Sequence, residues 1–183
     1  MLTHKGTVTL KNERLTLRRL AVEDAQEMYD NWATEEKVAR YVAWSVHKSV
    51  EETKELLANW VPGYEKPDYY HWVIEFDGDL IGTIGLHTVS DKSWRAEMGY
   101  CIGSRWWGRG LVAEAAREVV RFAFDEVGLN KIGAYYDMEN PGSGKVMHKV
   151  GMVREGYLVK HSRRKDGSWG DSVYCSVLNQ NIK

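Results

Sequence analysis

AEMGYCIGSRWWGRGLVAEAAREVVRFAFDEVGLNKIGAYY, residues 96–136, changes its apolar period twice, and those changes decide the fold. Over Ala96–Ile102 the side chains alternate: Ala96, Met98, Tyr100 and Ile102 share one face, Glu97, Gly99 and Cys101 the other. That is the period of a half-buried or central strand. From Leu111 to Val127 the spacing lengthens to three and four residues through Val112, Ala116, Val119, Val120, Ala123 and Val127, which predicts a helix, and Gly128 supplies its left-handed stop. KIGAYY, residues 131–136, returns to a strand. A strand–helix–strand unit of this kind is a crossover, so its two strands run parallel.

Outward from this unit the pattern is mixed. A strand is predicted near Arg14–Arg19, a helix near Val22–Ala33, and a less regular Tyr/Trp-rich stretch around Arg40–Ser45. A helix over Val50–Trp60 follows, with Ser49 as N-cap and Glu52 at capping-box spacing. Tyr69–Phe76 and Asp79–Val89 flank Asp77-Gly78, which fits a tight antiparallel hairpin. After the crossover, Asn140-Pro141 opens a short helix, Gly151 closes it, and strands near Met152–Lys160 and Asp171–Leu178 finish a single domain, 1–183.

Composition narrows the function. The 183 residues carry 25 Lys+Arg against 26 Asp+Glu, a net charge of −1, so the whole-molecule field gives no general attraction to nucleic acid. No apolar run reaches the roughly 18–20 residues a membrane span needs, and the first twenty residues lack a signal-peptide core. A soluble cytoplasmic protein is expected. Cys101 and Cys175 lack metal-ligand or CxxC spacing and read as free thiols. The six histidines show no HxxxH pattern, so no metal is expected, and no GxSxG elbow is present.

The segment Gly103-Ser104-Arg105-Trp106-Trp107-Gly108-Arg109-Gly110 joins the first crossover strand to the long helix. Glycines let backbone N–H groups approach a ligand, and the helix start behind them favours anions, so the loop suits a diphosphate. As a lone pair, Gly108 and Gly110 also fit a simple turn. Gly108-Arg-Gly110-Leu-Val-Ala113 satisfies the dinucleotide pattern GxGxxA, with Asp137 as a ribose-binding acid, which keeps an NAD(P)-binding oxidoreductase as an alternative. That pattern needs its first glycine directly after the strand, and here Gly103–Trp107 intervene. Gly142-Ser143-Gly144-Lys145 is not a P-loop, because Glu139 stands where the first glycine belongs and Val146 where Ser/Thr belongs.

Arg105-x-x-Gly108-x-Gly110 resembles the (Gln/Arg)-x-x-Gly-x-(Gly/Ala) pyrophosphate loop of the GNAT N-acetyltransferase superfamily. The resemblance extends through NERLTLRRL, LIGTIGL, AEMGYCIGSRWWGRGLVAEA, ENPGSGKVMHKVGMVREG and SVYCSVL, and is similar to the ribosomal-protein N-terminal acetyltransferase branch. It implies an α/β (α+β) fold: a mixed, mostly antiparallel twisted sheet with a central splayed parallel pair and about four helices. It implies acetyl-CoA in that opening, pantetheine against the edge near Cys101 and Ile102, and the diphosphate on Arg105 and the amides of Trp107, Gly108, Arg109, Gly110 and Leu111. Asn140 resembles the family asparagine that contacts pantetheine, though it also fits an N-cap.

For chemistry the resemblance implies direct attack of a primary amine, from a protein N-terminus or a small molecule, on the thioester. Glu97 is the candidate base; a sheet-face salt bridge would also suit it. The position where many relatives carry a tyrosine acid aligns with Met147, which cannot donate a proton, so Ser143, one turn earlier, is the candidate acid. The missing tyrosine leaves a non-catalytic acetyl-CoA-binding module as a further alternative. Tyr41, Trp44 and His47 are the candidate acceptor-binding residues. The basic run His161–Lys165 reads as a solvated hairpin tip, and a homodimer is left open.

Overall fold

The computed structural model describes residues 1–182. Eight strands form one sheet in the order β1-β2-β3-β4-β5-β6-β8-β7. They are β1 (Leu10–Lys11), β2 (Leu15–Arg18), β3 (Tyr70–Phe76), β4 (Asp79–Ser90), β5 (Arg95–Ile102), β6 (Lys131–Asp137), β7 (Val153–Arg163) and β8 (Trp169–Leu178). Every neighbouring pair is antiparallel except β5–β6. The β3–β4 hairpin closes as the dipeptide requires: Asp77 has φ 52° and Gly78 φ 86°.

The helices are α1 (Ala25–Met28), α2 (Glu36–Ala39), α3 (Val50–Trp60), α4 (Leu111–Phe122) and α5 (Pro141–Lys149). The helix expected over Val22–Ala33 is broken into a 3-10 turn at Val22–Asp24, α1, and a wide π turn at Tyr29–Ala33. Tertiary burial of Met28, Trp32 and Ala33 at 0% exposure outweighs the regular hydrogen-bond ladder there. Ser49 caps α3, its Oγ accepting from the Glu52 amide at 3.4 Å. The Glu52 carboxylate instead accepts from the Lys48 amide, so the reciprocal half of the expected capping box lies one residue upstream.

Two apolar clusters lie on opposite sides of the sheet. One joins Trp72, Ile74, Ile84, Ala96, Met98 and Ile132 to the α4 residues Ala115, Val119 and Phe122 and to Met147 of α5. The other joins Val73 and Leu80 to Met28, Trp32, Val38 and Leu57 of α1–α3 and their connections. Because side chains alternate along a strand, β5 serves both, with Tyr100 and Ile102 packed on the first cluster and Cys101 on the second.

The parallel pairing of β5 with β6 covers only Arg95↔Lys131, Ala96↔Ile132 and Glu97↔Gly133. Beyond that point β5 continues against β4 as far as Ile102, and β6 continues against β8 as far as Asp137. The strands part, and the sheet splits into two leaves. Among the described residues no helix is long and apolar enough to cross a membrane.

Candidate active site

The amide of Gly103 donates to the carbonyl of Ile81 at 2.9 Å, which fixes the alternation on β5. Odd-numbered residues there bond β4, so beyond the last β5–β6 pair the main-chain amides of Tyr100 and Ile102 face the opening. Cys101 belongs to the set facing β4, so the exposed edge expected near Cys101 and Ile102 falls on Tyr100 and Ile102. The Cys101 thiol lies against Thr83 Oγ1 at 3.4 Å, and burial pushes its pKa up. It packs as a small apolar group.

At the open end, the loop before α4 turns on two left-handed glycines, Gly108 at φ 76° and Gly110 at φ 81°. A Cβ on either would meet nothing within 4 Å, so both face open space. The amides of Gly108, Arg109 and Gly110 donate to no described group, and Gly110 caps α4 without a side chain, so the first-turn amides of Leu111, Val112 and Ala113 are free as well. This cradle fits a diphosphate. The flanking side chains are engaged elsewhere: Arg105 pairs with Asp79 at 2.7 Å and stacks on Trp106, Arg109 lies over Phe76, and the Trp107 indole donates to the Ile102 carbonyl at 2.9 Å.

On the second leaf, Asn140 caps α5, its Oδ1 accepting from the Ser143 amide at 3.3 Å. Ser143 is tied back to the first leaf, because the Tyr100 hydroxyl lies 3.0 Å from both the Ser143 carbonyl and its Oγ. Burial pushes the Tyr100 pKa up to about 12, so the phenol stays protonated. Met147, at 2% exposure, fills the core below. The alternation places Tyr100 only on one face with Ala96, Met98 and Ile102; the parting of the strands shows that its hydroxyl spans them.

Glu97 stands at the vertex, in the last β5 residue that pairs with β6. Its Oε1 accepts from the Tyr174 hydroxyl at 3.3 Å, and among the described residues it forms no ion pair with a lysine or arginine. The sheet-face salt bridge is therefore not what holds it.

Of the three expected acceptor residues, His47 is turned to Thr53, with Nδ1 2.7 Å from Oγ1, and burial lowers its pKa against the pull of Glu52. It pins the 40–47 segment to α3. The Trp44 ring packs edge-on against it, and the Tyr41 hydroxyl donates to the Glu139 carbonyl at 3.1 Å.

The basic tip is a correction. Arg164 forks onto Asp137 at 2.9 Å through two nitrogens and reaches Glu139 at 2.8 Å, while Lys165 donates to the carbonyls of Ala39 and Trp44. Arg40 also pairs with Glu139, at 2.9 Å. The turn is a strap joining β6 and the connection that follows it to the end of α2 and the segment beyond. A charge run looks solvated in sequence because its partners are not neighbours in the chain: Asp137 is 27 residues from Arg164, and Ala39 is 126 from Lys165.

A family model for the acetyltransferase (GNAT) domain matches residues 14–153. The chain belongs to the GNAT acetyltransferase family. It is 31% identical over 170 residues to the uncharacterized N-acetyltransferase YoaA of Bacillus subtilis, covering 92% of this chain and 96% of that one. It is 33% identical over 106 residues, 56% of this chain and 54% of the other, to the ribosomal protein uS5-alanine N-acetyltransferase of Escherichia coli. A crystal structure of a probable acetyltransferase superposes with a TM-score of 0.86 at 26% identity, covering 96% and 99% of the two chains. This GNAT protein is therefore an acetyltransferase.

Proposed function

We propose that this GNAT enzyme moves an acetyl group from acetyl-CoA to a primary amine by direct attack in a ternary complex, in the cytoplasm. The observation that carries this is the continuity of free main-chain donors. The edge amides of Tyr100 and Ile102 lead from the vertex to the unbonded amides of Gly108–Ala113. A thioester on a pantetheine arm ending in a diphosphate matches that line, with strand-like pairing along the arm and a helix start at the phosphates.

In this proposal the edge amides of β5 hold the arm and polarise the acyl oxygen where charge develops. Glu97 accepts the proton of the incoming amine. Ser143 gives a proton to the departing sulfur and regains one from the acylated nitrogen, and Tyr100, bonded to it, keeps the hydroxyl in place. Tyr41 and Trp44 line the acceptor side, and the segment that carries them is held by Lys165 and His47. The substrate named for the E. coli relative supports a peptide N-terminus as the acceptor class to test first, before small amines.

Calorimetry with coenzyme A and a mass-spectrometric screen of acetyl transfer to N-terminal alanine peptides and polyamines test this. Binding in the micromolar range with acetylation of a primary amine is expected. Stabilisation by NADH with no heat from coenzyme A would overturn it.

A further inference from the structure

Three glycines make a trench across the sheet at the vertex. Gly85 pairs with His71 and with Gly99, and Glu97 pairs with His87 on one side and Gly133 on the other. A ring lies over each glycine. A Cβ on Gly85 would stand 3.2 Å from His71 Cδ2, one on Gly99 2.9 Å from His87 Cε1, and one on Gly133 2.7 Å from Tyr174 Cζ. The trench thus holds titratable groups drawn from four strands: His71, half-buried under Trp60 and Tyr69, exposed His87, and half-buried Glu97 and Tyr174.

We propose that His87 is the proton outlet of the transfer reaction: it takes from Glu97 the proton that Glu97 has removed from the amine and releases it to water. This rests on the function proposed above. The His87 ring lies down on β5 at Gly99, where that strand begins to leave β6, on the same face of the sheet as Glu97, its partner in the β4–β5 register. The groups facing it are Glu97 from β5 and His71 from β3; Tyr174 of β8 reaches the same carboxylate. Desolvation against the sheet lowers the pKa of His87, with Glu97 pulling it back up. His71, pushed down to about 4 by burial, stays neutral and puts no cation beside it. A neutral imidazole is then available near pH 7.

The balance is simple. The ammonium gives one proton to Glu97, the freed nitrogen lone pair bonds the acyl carbon, the carbon–sulfur bond breaks, and the second nitrogen proton ends on the thiol. The proton on Glu97 passes to His87 and leaves as an imidazolium proton, restoring both groups for the next turnover. His87 acts through Glu97 and so is a relay and positioning residue.

The test joins kinetics to titration. In His87→Gln, kcat/KM at pH 7 is expected to fall about ten-fold or more while coenzyme A affinity holds, and the acidic limb of the pH profile, where His87 becomes protonated, is expected to move. Free imidazole should restore rate to His87→Gly. An unchanged rate and an unchanged limb in His87→Gln overturn the proposal. NMR titration of His87 tests the coupling without turnover: its pKa should drop further in Glu97→Gln, and an identical titration there sinks the relay. A wild-type enzyme that titrates as expected yet acetylates no amine would count against the proposed function instead.

Discussion

At Gly108 and Gly110, φ is 76° and 81°, a region that costs an L-residue about 1–2 kcal/mol. Open space over both means that a side chain there would stand where the diphosphate is proposed to sit. Gly108→Val should therefore abolish coenzyme A binding in calorimetry while far-UV circular dichroism stays native; retained affinity would remove the loop from the binding site. Glycine 133 has a different task, because the Tyr174 ring lies over it to reach Glu97. Gly133→Ala should displace Tyr174, visible as a shift of its ring NMR signals. Tyr100→Phe removes both bonds to Ser143, so a lowered kcat with unchanged coenzyme A affinity is expected. The RxxGxG pattern was legible in sequence because its work is done by backbone within a few residues. The roles of Tyr100, Tyr174 and His87 were not legible, since each depends on which strand lies opposite.

Among the elements, the β7–β8 tip carries the largest change from expectation. Asp137, whose side chain is 8% exposed, is held by the Arg164 fork, and that hydrogen bonding lowers its pKa below the usual carboxylate range. A depressed carboxylate stabilises the fold above its unfolded pKa, about 3.9, and the contribution is lost as pH falls through the folded value. The melting temperature of wild type should therefore exceed that of Asp137→Asn at neutral pH, with the gap closing progressively below about pH 4. A gap independent of pH would show that the ion pair is not its source. Lys165 sits on the carbonyls of Ala39 and Trp44, and burial lowers its pKa. Lys165→Met should raise KM for the acceptor several-fold and leave coenzyme A affinity alone, as steady-state kinetics would show. Helices α3, α4 and α5 could be drawn from periodicity and caps, whereas α2 and the π turn at Tyr29–Ala33 could not, because burial of Trp32 and Val38 rather than local propensity shapes them.

Across the whole molecule, the two clusters divide the labour of the sheet. The first supports the leaf that carries α4 and its amide loop, and the second supports α1–α3, which position the proposed acceptor wall. Leu57, at 0% exposure, anchors α3 in the second. Leu57→Ala should cost about 2–5 kcal/mol, read as a lowered denaturation midpoint, and should speed hydrogen exchange first in α1 and α3. Uniform loss of protection would mean that the two clusters unfold as one. Residue order alone determined the strand–helix–strand crossover, the hairpin at Asp77-Gly78, the helix caps and the glycine turn before α4, because periodicity, turn chemistry and backbone freedom act over a few neighbouring residues. The point where β5 leaves β6, the row His71–His87–Glu97–Tyr174 and the strap of Arg164 and Lys165 were decided only in three dimensions. Each needs side chains far apart in sequence to meet, and strand register and packing bring them together.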